Sequence, residues 1–276
     1  MVVTRFAPSP NGMLHIGHAW SAIVAHDLAK ERGGKFLLRI EDIDVRRSRP
    51  AVIDDFRRDL EWLGLEWNEV PTQSSRLDQY KRVKDLLVAQ GFLYPCSCSR
   101  QHIIDSAIDH GPEGPIYPGI CKGRHLEITS ETSLRLDSEK AMCRVGSVFW
   151  QDEFAGQMLA DLSQFGDVVI FRKQDEASYH LAVTHDDAQD CVTLVTRGQD
   201  LLPYTNIHRV LQSLLKLPVP RWYHHDLLID KSGRKLSKSR SSEPISALRL
   251  MGADGRRFAD ELRSGNFPDG ISLSKA

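Results

Sequence analysis

A strand, a turn and a helix start, all within the first eighteen residues, constrain this chain more than any other stretch. Val2 to Ala7 is a short apolar run that reads as a strand. Pro8, Pro10 and Gly12 then forbid regular structure, and a helical pattern runs from near Leu14 to Arg32. Unpaired backbone N–H groups and the positive dipole end make such a junction an anion site suited to phosphate. His15 and His18 share one face of the first helical turn. Gly17 between them leaves room for a flat ring against the backbone. The alternative is a Gly/Pro loop whose histidines only cap a helix. Lys35 to Glu41, after Gly33-Gly34, reads as a second buried strand. The segment therefore completes a βαβ unit, which implies a parallel sheet with a right-handed crossover. Ligands in such sheets sit at the carboxyl ends of strands. The residues placed there are Arg5, Phe6, Ala7, Pro8 and Ser9 on one strand and Glu41, Asp42 and Asp44 on the next.

Further along, Pro50 opens a helix through Leu63 with Ile53, Phe56, Leu60 and Leu63 on one face, and another runs from about Leu77 to Gln90. Sheet-like periodicity returns at Asp167–Arg172 and Val192–Arg197, with a helix from Ser178 to Asp187 between them. A helix from Tyr204 to Leu215 precedes a last strand-like run, Trp222 to Asp230. The expected fold is α/β: a Rossmann-type parallel sheet whose halves are residues 1–91 and 167–240. An insertion at 92–166 and a short C-terminal extension at 241–276 complete it. No Gly-x-x-x-x-Gly-Lys-[Ser/Thr] loop and no Gly-x-Gly-x-x-Gly occurs, so P-loop and dinucleotide-binding sites lose their main support. The net charge of −1 confines any nucleic-acid contact to local patches. No apolar run approaches the ~20 residues of a membrane helix, and Met1 to Arg5 has no apolar core of signal-peptide length. Five cysteines do not suggest a disulfide scaffold. A cytoplasmic monomer is expected.

Three sets of residues carry chemistry. In the first, His15 and His18 can donate to phosphate from the helix start. Lys235 and Lys238, in the basic loop Gly233-Arg-Lys-Leu-Ser-Lys-Ser239, can close over departing phosphates. That loop could otherwise be a solvated basic turn. In the second, Arg5 and Glu41 are charged yet sit in apolar strands, where burial is costly without a partner or ligand. A carboxylate for an ammonium group and a guanidinium for an acidic side chain suit glutamate. Arg197, ending another strand, offers a second guanidinium, and Tyr179 a hydroxyl. In the third, Cys96, Cys98 and Cys121 have spacing that suits a tetrahedral zinc site, with Tyr117 or His125 as fourth ligand. The alternative is three buried thiols.

His15-Ile-Gly-His18 and Lys235-Leu-Ser-Lys-Ser239, in that order and each at a strand end, resemble the paired HIGH and KMSKS motifs of class I aminoacyl-tRNA synthetases. With Arg5-Phe-Ala-Pro-Ser-Pro-Asn-Gly, Leu38-Arg-Ile-Glu-Asp-Ile-Asp44, Tyr179-His-Leu-Ala182 and Arg197-Gly, the chain resembles the glutamyl-tRNA synthetase catalytic domain over about residues 2–240. Only 37 residues follow Ser239 (276 − 239), against a couple of hundred in a full synthetase. It is therefore more similar to the stand-alone paralogues, the glutamyl-Q tRNA(Asp) synthetases. That resemblance implies a ligase that activates glutamate with ATP, its magnesium carried on the nucleotide, and attaches it to queuosine in tRNA(Asp). It implies that Arg5 to Ser9, Glu41, Tyr179 and Arg197 hold glutamate, and that His15, Gly17, His18 and Lys238 serve ATP. It also implies zinc held by Cys96, Cys98, Tyr117 and Cys121. Two residues bear on the pocket: Val183 replaces an asparagine usual in the full-length enzymes, and Gln199 replaces a usual acid. Arg46, Arg47 and Arg49 are candidates for contacts to an RNA backbone. The competing expectations are a truncated enzyme that charges a tRNA 3′ end and a non-catalytic tRNA-binding copy.

Overall fold

The computed structural model describes residues 1–236 and 243–274. Chain contacts divide it into two units: residues 1–75, 191–202 and 220–276 form the first, and residues 76–190 and 203–219 the second.

The first unit is built on a parallel sheet. Strand β1 (Val3–Phe6) is fully buried and pairs in parallel with β2 (Lys35–Leu38), Arg5 opposite Leu37. Strand β2 pairs in turn with β3 (Asn68–Glu69). On the other side of β1 the backbone N–H of Thr193 donates to the Val3 carbonyl at 3.0 Å. The Val3 N–H returns a bond to Thr193 Oγ1 at 2.9 Å. This seats β4 (Leu194–Gly198) beside β1, and β5 (Arg221–His225) pairs with β4 in parallel. The resulting order 3-2-1-4-5 is that of a Rossmann-type sheet, with its switch point between β1 and β4.

Helix α1 (Ile16–Glu31) connects β1 to β2 and buries Ala19, Ala22, Ile23, Ala25 and Ala29. Its small residues let the backbone lie close to the strands. Helix α2 (Pro50–Trp62), with proline in its first turn, leads to β3. The α1/α2 core of Leu14, Ile16, Phe36, Phe56 and Leu60 also takes in Ile245, Ala259 and Leu262 from beyond residue 240. The extension expected at 241–276 is thus structural. It carries the helices Ile245–Leu250 and Gly255–Arg263 and a strand, Ser272–Leu273, antiparallel to Leu228–Ile229. Gly255 permits this packing, because a Cβ there would stand 2.2 Å from the Trp62 carbonyl oxygen.

The second unit holds a three-stranded antiparallel sheet in which Ser133–Leu136 lies between Leu93–Cys96 and Val169–Phe171. It also contains a hairpin, Phe149–Asp152 with Gly156–Leu159, and the packed helices Tyr179–Gln189 and Thr205–Leu215. The chain from 167 to 172 was expected in the parallel sheet, and here the structure differs. Val169–Phe171 is antiparallel and bulged. Three or four apolar residues read alike in either kind of sheet, since periodicity does not identify the partner strand. Residues 92–166 fall wholly inside this unit, which also takes in residues 76–91 with the helix Leu77–Ala89, the strand Val169–Phe171 and both packed helices. Its charged interior is paired: Arg76 bonds Asp190 at 2.6 Å and Asp186 at 3.3 Å, while the Tyr80 hydroxyl donates to Asp186 at 2.7 Å. Among the described residues no helix is long and apolar enough to cross a membrane.

Candidate active site

His15 is the N-cap of α1, and its hydrogen bonds determine where its proton sits. The Gly17 N–H donates to His15 Nδ1 at 3.0 Å, and the His15 N–H donates to His18 Nδ1 at 3.1 Å. Both Nδ1 atoms are therefore acceptors, so in each neutral ring the proton is on Nε2. The rings lie 3.8 Å apart at 42°. The flat ring over Gly17 is that of His15 itself, since a Cβ on Gly17 would stand 2.9 Å from His15 Cε1. The backbone returns to this turn after the basic loop: Pro244 bridges His15, and the Ile245 N–H donates to the Leu14 carbonyl at 2.9 Å.

At the carboxyl ends of the strands, buried charges gather. Arg5 Nη1 donates to the Thr196 carbonyl at 2.9 Å, from β1 across to β4. Glu41 follows β2, its N–H bonded to the Pro8 carbonyl at 3.1 Å, and its carboxylate takes Arg39 Nη2 at 3.2 Å. Arg197, near the end of β4, donates from Nε to His224 Nε2 at 3.0 Å, both side chains buried. Arg5, Glu41, Arg197 and Arg39 are 4%, 8%, 6% and 0% exposed. Phe6 and Pro8 are buried with them, Ala7 is half-buried, and Ser9 is exposed. Arg39 and His224 had no sequence signal beyond a charged or polar residue within an apolar strand, which is the pattern that picked out Arg5 and Glu41. Tyr179 opens its helix in the second unit, where its ring packs on His208 at 5.7 Å.

Lys235 is paired with Asp200, which follows β4. Lys238 and Ser239 lie outside the described residues. Gln199 Nε2 donates to Ser274 Oγ at 2.6 Å, and that hydroxyl also accepts the Leu227 N–H at 2.9 Å. The residue that departs from the family pattern thus anchors the C-terminal strand. Val183 is buried within its helix.

In the second unit Cys96, Cys98 and Cys121 bring their sulfurs within 4.8 Å of one another. The Tyr117 hydroxyl oxygen stands 3.4 Å from Cys96 Sγ and 3.7 Å from Cys98 Sγ, while Cys98 and Cys121 are 3.6 Å apart. A tetrahedral ion with bonds of about 2.3 Å to sulfur and 2.0 Å to oxygen separates its ligand atoms by roughly 3.5–3.8 Å. The three separations just given lie close to that range. His125 is exposed and outside the group. Burial raises the Cys121 thiol, but hydrogen bonds led by the Tyr117 hydroxyl and the Ser97 backbone outweigh it and bring the thiol to about 6. Burial pushes Cys98 up to about 11 and raises Tyr117 as well. Without a cation the Cys121 thiolate thus forms readily, and a divalent ion would favour charge on Cys98 and Tyr117 as well. The Arg135 guanidinium lies 3.8 Å over the Tyr117 ring, a cationic neighbour for a phenolate.

Residues 1–259 match the family model described as tRNA synthetases class I (E and Q), catalytic domain. The chain belongs to this family. It is accordingly a ligase of the aminoacyl-tRNA synthetase class, whose members use ATP with magnesium. A glutamyl-Q tRNA(Asp) synthetase of Rhodobacter capsulatus is 43% identical over 270 residues, covering 91% of this chain and 96% of its own length. The enzyme of that name from Nitratidesulfovibrio vulgaris is 37% identical over 98% of this chain and 88% of its own. The structure of glutamate-tRNA synthetase from Elizabethkingia anophelis aligns with a TM-score of 0.72 and 25% identity, over 86% of this chain. This chain spans about half of that one, 52%.

Proposed function

We propose that the chain activates glutamate with ATP and transfers it to queuosine in tRNA(Asp), acting as a monomer in the cytoplasm. One observation carries the activation step. Two Nε2–H donors stand at a helix start in the same unit as a sheet end that buries three guanidinium groups and a carboxylate, Arg39 being paired with that carboxylate. Glu41 would take the ammonium group of glutamate, while Arg5 and Arg197 would take its side-chain carboxylate, leaving the α-carboxylate to react. Phe6, Ala7, Pro8 and Ser9 would supply backbone along the substrate. An α-carboxylate oxygen attacks the α-phosphorus, the bond to pyrophosphate breaks, and glutamyl-adenylate forms. His15 and His18 would donate to phosphate oxygens as charge grows there, each such donor contributing roughly 2–4 kcal/mol. Lys235 would exchange Asp200 for the leaving phosphates, Lys238 of the same sequence motif would serve ATP, and magnesium would travel on ATP. A hydroxyl of the queuosine cis-diol then attacks the acyl carbon and AMP leaves. Zinc on Cys96, Cys98, Tyr117 and Cys121 would be structural, tying Leu93–Cys96 to the segment around Cys121.

The relatives' names support the acceptor, and the proposal is tested in two steps. Glutamate-dependent exchange of labelled pyrophosphate into ATP is expected with no RNA present. Glutamate transfer is expected to queuosine-containing tRNA(Asp) and not to the same tRNA with guanine there. Equal charging of both tRNAs, or charging of tRNA(Glu) at its 3′ end, overturns the acceptor and favours a truncated glutamyl-tRNA synthetase. No exchange and no transfer favours a non-catalytic tRNA-binding protein.

Gly17→Ala separates the phosphate site from the fold. Alanine is the better helix former by about 1 kcal/mol, and the displaced His15 cap costs about as much, so the melting temperature is expected to hold. The added methyl displaces the His15 ring, so exchange should fall about 10–100-fold, the effect of misplacing a group by ~1 Å. Unchanged exchange would remove His15 from the ATP site.

A further inference from the structure

Arg135 is 7% exposed, and among the described residues it forms no ion pair. Its Nη1 donates to the Asp167 carbonyl at 2.7 Å, and its buried Nε has no hydrogen-bond partner. Its guanidinium carbon lies 3.8 Å over the Tyr117 ring. An arginine stays charged in a protein interior, and a buried charge without a counter-charge is costly. The nearby acids are engaged elsewhere. The Asp167 carboxylate takes the Tyr94 hydroxyl at 2.6 Å and the Ser138 N–H at 2.9 Å, with Lys122 Nζ 3.7 Å away. Glu113, also within electrostatic reach, bonds His180 at 2.7 Å. Strand alternation turns Arg135 toward the cysteine set. In the antiparallel pair of Leu93–Cys96 with Ser133–Leu136, Arg135 stands opposite Tyr94, and Ser133 opposite Cys96. Paired residues, and those two apart, share a face, so Arg135 and Cys96 lie on the same side. A backbone bridge between Tyr117 and Gly166 sets Tyr117 beside the segment whose Asp167 carbonyl Arg135 holds.

We propose that Arg135 is a charge-compensating residue of the metal site: its guanidinium, over the Tyr117 ring, offsets the negative charge that the ligand set acquires around a divalent ion. The inference rests on the reading that Cys96, Cys98, Tyr117 and Cys121 hold such an ion. Three thiolates and a phenolate around a divalent ion leave an excess of two negative charges. Cys96, Tyr117 and Cys121 are at most 5% exposed, so water offsets little of that excess. A phenolate shares its charge with its ring, and a cation over the ring face is attracted to it more strongly than to a neutral phenol. The cost of burying the guanidinium and the cost of burying the charged set therefore fall together when the ion binds.

The test is the zinc dissociation constant of the full chain, measured by competition with a chromophoric chelator. Arg135→Leu is expected to raise it about 10–100-fold, the usual effect of losing a partner of a metal ligand. Arg135→Lys, which keeps a cation, should raise it by less than Arg135→Leu does. In a Tyr117→Phe background, Arg135→Leu should raise it by no more than about threefold, because the charge beneath the guanidinium is then gone. A merely structural arginine would weaken binding by the same factor in both backgrounds. It would also lower the melting temperature of the zinc-free protein. Equal factors in the two backgrounds, or an Arg135→Lys as impaired as Arg135→Leu, overturns the proposal. The wild-type protein gives a readout without any variant of Arg135. Its ultraviolet difference spectrum on zinc addition at neutral pH should show a metal-bound phenolate, absent from Tyr117→Phe. Zinc-bound wild type without that band leaves no phenolate to offset, and overturns the inference. The two failures are distinguishable. A wild type that binds no zinc removes the metal site, and the role of Arg135 with it. A wild type that binds zinc, with Arg135→Leu within about threefold of it, removes only the role of Arg135.

Discussion

Purified under metal-retaining conditions, the protein is expected to hold one zinc ion per chain, and Cys121→Ser is expected to lose it. The serine variant should also unfold earlier, by about 3 kcal/mol or more, because binding energy at a site absent from the unfolded chain is folding energy. The Cys121 thiol titrates well below that of Cys98, so its loss removes a readily formed anionic ligand. Cys143 and Cys191 are exposed and apart from the set, and Cys143→Ser is the control that should change neither metal content nor melting. Tyr117→Phe should weaken metal binding, and His125→Ala should not. Metal analysis and thermal melts with and without chelator provide the readout. A wild-type protein without metal, whose melting a chelator does not shift, would leave the cluster as buried thiols.

The grouping of Cys96, Cys98 and Cys121 was legible from their spacing, whereas Tyr117 was picked out only through the family resemblance, general chemistry favouring His125. The distances put Tyr117 Oη among the sulfurs and leave His125 outside the set. The strand–turn–helix start was legible for a similar reason, since glycine, proline and apolar runs punctuate it within eighteen residues. The antiparallel place of Val169–Phe171 was not, because a short apolar strand does not encode its partner. Nor were the neighbours of the charged residues. Arg39 beside Glu41, His224 beside Arg197 and Asp200 beside Lys235 lie 2, 27 and 35 positions apart. The last two pairs depend on the crossover that brings β5 and the loop after it to β4. Sequence reading finds residues that need a partner, because a charge in an apolar strand is conspicuous. It does not say which partner the topology supplies.

Arg5→Met should separate substrate binding from stability more completely than any other change. The side chain is 4% exposed and its Nη1 supports the Thr196 carbonyl. Removing it leaves that carbonyl without the bond, at about 1–3 kcal/mol. It also removes the cost of keeping a guanidinium charge out of water. The two effects oppose, so the melting temperature should move little. The substrate has no such compensation. A side-chain carboxylate that loses two charge-assisted hydrogen bonds loses about 3–6 kcal/mol, so exchange at low glutamate should fall roughly 10²–10⁴-fold. The KM for ATP should stay near its wild-type value. Arg5→Lys should recover little, because an ammonium is a point charge and cannot present the planar fork. Retention of glutamate-dependent exchange within tenfold in Arg5→Met would place the side-chain carboxylate elsewhere. It would leave Arg5 as a strut between β1 and β4, and its burial would then be a matter of sheet geometry alone.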